Sequence, residues 1–167
     1  MKARGALLAA LIFLSAGCVG FRPGALGADA VGKARLDFAA GRFAVVVSGL
    51  GGERIPLLPR RVRAEAYFLL GRSTEHAESL VAALPIYQFA VGLYPKNLAL
   101  LTALADLLHR VGLGDRARPH YERVLAIHPN NAAAHLGLAE IDRAQGFLAR
   151  SQAHFDAVLE EWGDNPA

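Results

Sequence analysis

A repeat of 34 residues constrains the fold of this 167-residue chain more than any other feature of its sequence. The stretch "YPKN" at 94–97 is matched by "HPNN" at 128–131, and Pro85, Tyr87 and Gly112 each have an identical residue 34 positions later. A leucine followed by a small residue occurs three times at the same offset, at 70, 104 and 138. A repeat of this length indicates stacked units, because one unit cannot bury its apolar face alone.

The repeat resembles the tetratricopeptide repeat, a helix–turn–helix unit of about 34 residues. The unit 64–97 has the signature residues of the family, the unit 98–131 has most of them, and the unit 132–162 keeps fewer. In the first of these units they are Tyr67, Leu70, Gly71, Ala83, Tyr87, Ala90 and Pro95. The segment 29–63 resembles a degenerate first unit with its connection. The resemblance implies an all-α fold, a short right-handed α-solenoid of about three repeats plus this degenerate N-terminal unit.

Composition and periodicity favour helices independently of the family. Ala and Leu dominate the apolar residues, and aromatic residues make up only 8% of the chain. In 98–111 the apolar residues recur at spacings of three and four, which predicts one buried helical stripe. The run "VVVS" at 45–48 is typical of a strand, but we favour a helix that ends in the glycines of "SGLGGE". The rings at 87, 121 and 155 are interpreted as core.

The first 18 residues have the order of a bacterial secretion signal. Lys2 and Arg4 precede an uncharged apolar run that ends at Gly17, and this run is too short to cross a bilayer. The small residues before Cys18 resemble the lipobox of bacterial lipoproteins, although Ser15 stands where that motif usually has leucine. The resemblance implies cleavage before Cys18, lipidation of Cys18, and a flexible tether over 18–28. Ordinary secretion and a retained signal remain alternatives.

This interpretation predicts where the protein resides. We expect a lipid-anchored protein of the bacterial cell envelope that faces the periplasm. Val19 is not the aspartate that resembles an inner-membrane retention signal, so we expect the outer membrane if the source has two membranes. The segment 163–167 is a short tail.

The sequence has no pattern that calls for catalysis. The glycines of "SGLGGE" lack the Lys-Ser/Thr pair of a phosphate-binding loop, and the six histidines form no His-Glu-x-x-His motif. The 18 basic residues less Lys2 and Arg4 leave 16 against 15 acidic residues, which argues against nucleic acid as a partner. We therefore expect a protein that is not an enzyme and that has no cofactor and no metal.

The resemblance also implies a binding groove lined by the first helix of each unit. Carried onto this chain, the groove positions with binding potential are Phe68, Arg72, Thr102, Asp106, His109, Arg110, Leu136, Glu140 and Arg143. Asp106 and Arg110 are four residues apart, and Glu140 and Arg143 three, so both pairs have the spacing of simple intrahelical ion pairs. The sequence leaves both interpretations open.

We expect an adaptor that holds a peptide or helix of a partner protein, in the assembly of an envelope machine such as a pilus or a secretion pore. The alternative is a structural lipoprotein that packs against another repeat protein or itself through the apolar end near Trp162.

Overall fold

A computed structural model describes the chain from residue 28 to residue 163, and in this range it contains eight α-helices and no strand. The helices form four antiparallel pairs. They are α1 (Ala28–Ala39), α2 (Phe43–Leu50), α3 (Arg60–Ala77), α4 (Leu80–Leu93), α5 (Leu98–Arg110), α6 (Gly114–Ile127), α7 (Ala132–Ala144) and α8 (Leu148–Gly163). A short 3₁₀ helix, Gly52–Leu57, connects the first pair to the second.

The repeated polar residues mark the ends of the helices. Asn97 and Asn131 cap α5 and α7, and each side chain accepts a hydrogen bond from the backbone N–H three residues on, at 3.0 and 2.9 Å. Gly112 and Gly146 end the same two helices with a φ of 81°, a left-handed conformation that glycine adopts without strain. The 34-residue period therefore sets where α5 and α7 begin and end.

The segment "VVVS" lies inside α2, which ends at Leu50 directly before Gly51. Tertiary packing overrides the local strand preference here, because Val46 and Leu50 are buried against the neighbouring helices. The glycines that superficially resemble a phosphate loop thus terminate a helix.

The helix pairs stack so that their first helices meet. In the described range, α1 contacts α3, α3 contacts α5 and α5 contacts α7, whereas the second helices of successive pairs have at most sparse contacts with one another. The first helices therefore line one face of the solenoid, and α2, α4, α6 and α8 form the opposite face. We call these the inner face and the outer face.

Aromatic rings and small residues form the core between helices. Tyr87 and Tyr121 are fully buried, and the ring of Tyr87 lies on the backbone of Gly71. Phe155, the third ring of the series, is only partly buried in the last pair. Ser151 replaces the alanine of the other second helices, and its hydroxyl donates a hydrogen bond of 2.8 Å to the backbone oxygen of Ala139.

Several sequence predictions concern residues outside the described part. The leader, Cys18, the tether up to residue 27 and the tail from residue 164 lie outside it, as does the side chain of Trp162. Among the described helices, none combines the length and the apolar character needed to cross a membrane.

Candidate functional site

The inner face contains an open groove of about 470 Å³ where α1, α3 and α5 meet. Its floor and sides are formed by residues of these three helices together with the residue that caps α7. They are Phe38, Phe68, Arg72, Leu98, Ala99, Thr102, Ala103, Asp106 and Asn131. The groove combines apolar side chains with one cation and one anion.

Four of the sequence-predicted groove residues lie together in this groove. Phe68 and Arg72 are one turn apart on α3, and Thr102 and Asp106 are one turn apart on α5. This spacing places both pairs on the same face of their helices. Phe68 packs on the core with part of its ring accessible, so it offers a fixed apolar surface to a ligand.

Asp106 is held by the core below the groove. Its carboxylate Oδ1 accepts a hydrogen bond of 2.6 Å from the hydroxyl of Tyr121. Burial raises the pKa of Asp106, and this effect is opposed by the Tyr121 hydrogen bond and by the charge of Arg72. Burial and the hydrogen bond to the carboxylate raise the pKa of Tyr121 above its usual range. Asp106 is therefore a positioned acceptor rather than a mobile surface charge.

Arg110 binds a residue of the preceding unit, outside the groove. Its guanidinium Nη1 donates a hydrogen bond of 2.6 Å to Oε2 of Glu75, whose side chain is only 4% exposed. The hydroxyl of Tyr87 donates to the other oxygen of Glu75 at 2.7 Å, and Arg72 lies 3.6 Å from Oε2. Burial is the largest cause that raises the pKa of Tyr87, followed by this hydrogen bond. Glu75 thus joins two repeats through one buried carboxylate.

The remaining predicted residues do not line this groove. His109 Nε2 lies 3.0 Å from Oε2 of Glu140 on the next first helix, beside a smaller cavity of about 250 Å³. Leu136 and Arg143 are exposed on α7. The contact between His109 and Glu140 and the ion pair between Arg110 and Glu75 therefore both connect successive first helices.

The hypothesis of intrahelical ion pairs is wrong for both candidate pairs. Within the described residues, Asp106 forms no salt bridge with Arg110, and Glu140 forms none with Arg143. Each of Arg110 and Glu140 instead binds a residue of a neighbouring first helix. The superhelical stacking brings these side chains closer to the preceding repeat than to their own helical neighbours.

Sequence reasoning missed three residues of the groove, Phe38, Leu98 and Asn131. Phe38 lies in the degenerate first unit, whose weak signature could not fix the register of α1. Leu98 is the first residue of α5, and Asn131 caps α7. Their positions at repeat boundaries could have identified them as groove residues. The ring of Phe38 also packs edge-on to Phe43, at 5.3 Å between centroids.

A second group of charges lies away from the groove, between α6, α7 and α8. The carboxylate of Asp142 is fully buried and accepts a hydrogen bond of 2.6 Å from Arg118. Arg150 lies 3.2 Å from the same oxygen, and His154 Nε2 lies 3.8 Å from the other. In residues 28–163, no group of three or more His, Cys, Asp or Glu side chains is placed to hold a metal ion.

Known proteins share this fold. Residues 112–167 match a family model described as tetratricopeptide repeat. A crystal structure of MamA is 20% identical and superimposes with a TM-score of 0.71, over 80% of this chain and 77% of that chain. A tetratricopeptide repeat protein from Parabacteroides merdae is 18% identical, also with a TM-score of 0.71, over 82% of this chain and 54% of that chain. No curated protein matches. These similarities confirm the all-α repeat solenoid that the sequence predicts.

Proposed function

We propose that this chain, which has the fold of tetratricopeptide repeat proteins, is a non-enzymatic scaffold that binds a peptide or helix of another protein in its inner groove. The groove of about 470 Å³ carries this proposal, because it combines an accessible apolar floor with fixed polar groups. A few polar groups in an apolar cleft are typical of sites that hold a ligand in one orientation.

The groove favours a partner segment with one apolar side chain and adjacent polar groups. Phe38, Phe68 and Leu98 form the apolar part of the lining, and Thr102 lies between them and Asp106. Asp106 accepts hydrogen bonds, and Arg72 can pair with a carboxylate on the partner because about a third of its side chain is exposed. An aliphatic or aromatic residue near an acidic residue matches this arrangement.

We also propose that the protein acts on the periplasmic side of a bacterial envelope, held there by lipid on Cys18. The leader and the small residues before Cys18 support this location. A tether of about ten residues between Cys18 and α1 reaches at most about 35 Å when extended. The groove would then hold its partner close to the membrane, as the assembly of a pilus or a secretion pore requires.

The experiment fills the groove without disturbing the core. Ala99 lines the groove and is exposed at the second position of α5, so Ala99→Arg places a long side chain across the site. The matched control is Ala133→Arg, because Ala133 is exposed at the second position of α7, one repeat later and outside the groove.

The measurement is capture of partner proteins from detergent-solubilised envelopes, with identification by mass spectrometry. We expect Ala99→Arg to reduce capture of the partner at least tenfold, which is about 1.4 kcal/mol, whereas Ala133→Arg retains it. Both variants should keep the circular dichroism of the parent. Equal capture by the two variants would contradict a partner in the groove.

A second candidate function uses the carboxyl-terminal helix. Leu148 and Leu159 are 67% and 63% exposed, and their spacing of eleven residues places them on one side of α8. This surface favours packing against another repeat protein or a second copy of the chain. Loss of capture after Leu148→Gln and Leu159→Gln, with full capture by Ala99→Arg, would support this candidate over the groove.

A further inference from the structure

Helix α4 presents an apolar surface on the outer face of the solenoid. The helix contains no charged residue, and its exposed positions are Val81, Pro85, Gln88, Phe89, Gly92 and Leu93. Val81, Phe89 and Leu93 are 71%, 57% and 52% exposed. With Pro85 they are spaced by four residues, so they form one continuous stripe along the helix. Adjacent exposed apolar groups of this kind mark an interaction surface.

The next repeat shows that the fold does not require apolar residues there. At the 34-residue offset, Val81 and Phe89 correspond to Asp115 and Arg123, which are both exposed. Pro85 and Leu93 correspond to Pro119 and Ile127, and Ile127 is 45% exposed. The outer surface of α4 is thus apolar at all four stripe positions, whereas that of α6 is charged at two of them and apolar at the other two. The repeat therefore does not require apolar residues at the positions of Val81 and Phe89, which complete the stripe on α4.

The apolar surface continues beside the stripe into a cavity of about 540 Å³. Pro85 and Phe89 line this cavity together with Val47, Pro56 and Ile86. Leu57, in the 3₁₀ helix, is 56% exposed near this region. The stripe thus borders a wider apolar area between α2 and α4.

One end of the stripe carries positive charge. Helix α3 runs antiparallel to α4, and the ring of Tyr67 lies 5.7 Å from Phe89 and 6.4 Å from Tyr94, which places the start of α3 beside the end of α4. Arg60 and Arg61 are exposed at this start, and Lys96 is exposed just after α4. Glu78, the acidic residue of the cavity lining, lies at the opposite end of the helix pair.

We propose that the outer face of α4 docks on a phospholipid bilayer with anionic headgroups. The stripe Val81, Pro85, Phe89, Leu93 enters the boundary of headgroups and acyl chains, and Arg60, Arg61 and Lys96 contact lipid phosphates. An apolar helix face with basic residues at one end has the chemistry of interfacial membrane binding. The relevance of this contact in the cell rests on the proposed lipid anchor, which would hold the domain within reach of the bilayer.

The first experiment uses lipidated protein in vesicles of phosphatidylethanolamine and phosphatidylglycerol. The chain has one cysteine, and once Cys18 is acylated, a thiol introduced by Phe89→Cys is the one site for an environment-sensitive fluorophore. The matched control is Arg123→Cys, the repeat counterpart on α6. We expect blue-shifted emission at position 89 and at least twofold weaker quenching by aqueous iodide than at position 123. Equal quenching at the two positions would overturn the proposal.

A second experiment removes the anchor, so its outcome does not depend on lipidation. In a chain that lacks residues 1–18, and therefore both the apolar leader and the lipidated cysteine, we expect replacement of Val81, Phe89 and Leu93 by glutamine to lower partitioning into anionic vesicles at least tenfold. The control replaces Leu136, Phe147 and Leu148 by glutamine, since these residues are exposed elsewhere. Equal partitioning of the two triple variants would overturn the proposal. It would also be overturned if the stripe variant partitioned like the parent but no longer captured a protein, because the stripe would then bind a protein partner.

Discussion

The ring of Tyr121 packs on the backbone of Gly137 so closely that a Cβ atom added to Gly137 would lie 2.3 Å from the ring Cζ. Tyr121 belongs to α6 and Gly137 to α7, so this contact joins one repeat to the next. Gly71 and Tyr87 have the same relationship inside one repeat, with 2.4 Å between the added Cβ and Cε1. At both sites the missing side chain of glycine lets a buried tyrosine ring pack directly on the backbone of the neighbouring helix.

The glycine at 137 is therefore required by packing, and Gly137→Ala should destabilise the protein. The added methyl group forces the buried ring of Tyr121 to shift, which costs about 1–3 kcal/mol and outweighs the gain in helix propensity of up to about 1 kcal/mol. The measurement is urea denaturation followed by circular dichroism. The control is Gly92→Ala, because nothing lies within 4 Å of a Cβ at Gly92 and the substitution should stabilise α4 slightly. Equal stability of Gly137→Ala and the parent would contradict this packing.

The sequence predicted the helix pairs because their determinants are local and recur. The capping residues Asn97 and Asn131, and the rings Tyr87 and Tyr121, are visible at one offset in the chain. Their physical effects, a capped helix end and a filled core, depend on residues of the same or the adjacent helix. The all-α solenoid could therefore be predicted from the 34-residue period together with the signature residues of the repeat.

The groove was only partly predictable, because its lining depends on the angle between successive repeats. Phe68, Arg72, Thr102 and Asp106 could be placed by their positions in the repeat, but the role of Phe38 could not, since α1 lacks a clear signature. Ion pairs between repeats could not be predicted from the sequence either. A spacing of four residues suggests a contact along one helix, whereas Arg110 and Glu75 are 35 residues apart in the chain.

The ion pair between repeats predicts that Arg110→Ala is more damaging than its exposure suggests. Glu75 is buried and would lose its 2.6 Å hydrogen bond from Arg110, at a cost of about 1–2 kcal/mol after allowing for the partial exposure of Arg110. The control is Arg143→Ala, since Arg143 is exposed and forms no salt bridge within the described residues. That variant should remain within about 0.5 kcal/mol of the parent.

A double-mutant cycle separates this contact from other effects. Glu75→Gln combined with Arg110→Ala should show a coupling free energy of about 1 kcal/mol in denaturant unfolding. A coupling near zero would show that Glu75 and Arg110 contribute independently, and that the two repeats are not joined by this pair.

The proposed anchor predicts that Cys18→Ala abolishes lipid labelling and leaves the precursor uncleaved by the lipoprotein signal peptidase. The reason is chemical, since the thiol is the group to which the lipid is attached. The measurements are incorporation of labelled fatty acid and the mass of the purified protein. Ser15→Leu, which restores the usual lipobox residue, is the control and should be processed at least as well as the parent. Identical processing and membrane retention of Cys18→Ala and the parent would exclude the lipid anchor.

The pair His135 and His154 predicts how stability depends on pH. Their Nδ1 atoms are 3.0 Å apart, and His135 Nε2 donates a hydrogen bond to the backbone oxygen of Pro129 at 2.9 Å. In the neutral pair His135 therefore accepts at Nδ1, and His154 donates. Burial lowers the pKa of His154 below its usual value of 6.5, with smaller contributions from His135, Arg150 and Arg118, against an opposing contribution from Asp142.

A lowered pKa means that the native state binds fewer protons than the unfolded chain just below pH 6.5. The free energy of unfolding should therefore fall as the pH decreases through this region, by less than about 1.4 kcal/mol per pH unit for one group. His154→Gln should reduce this slope, measured by urea denaturation between about pH 7.5 and pH 5.5. His128→Gln is the control, because His128 is exposed at the end of α6. His120 has a pKa lowered by burial and should leave a residual slope of the same sign in both variants. Equal slopes in His154→Gln and the parent would show that His154 is not buried in its neutral form.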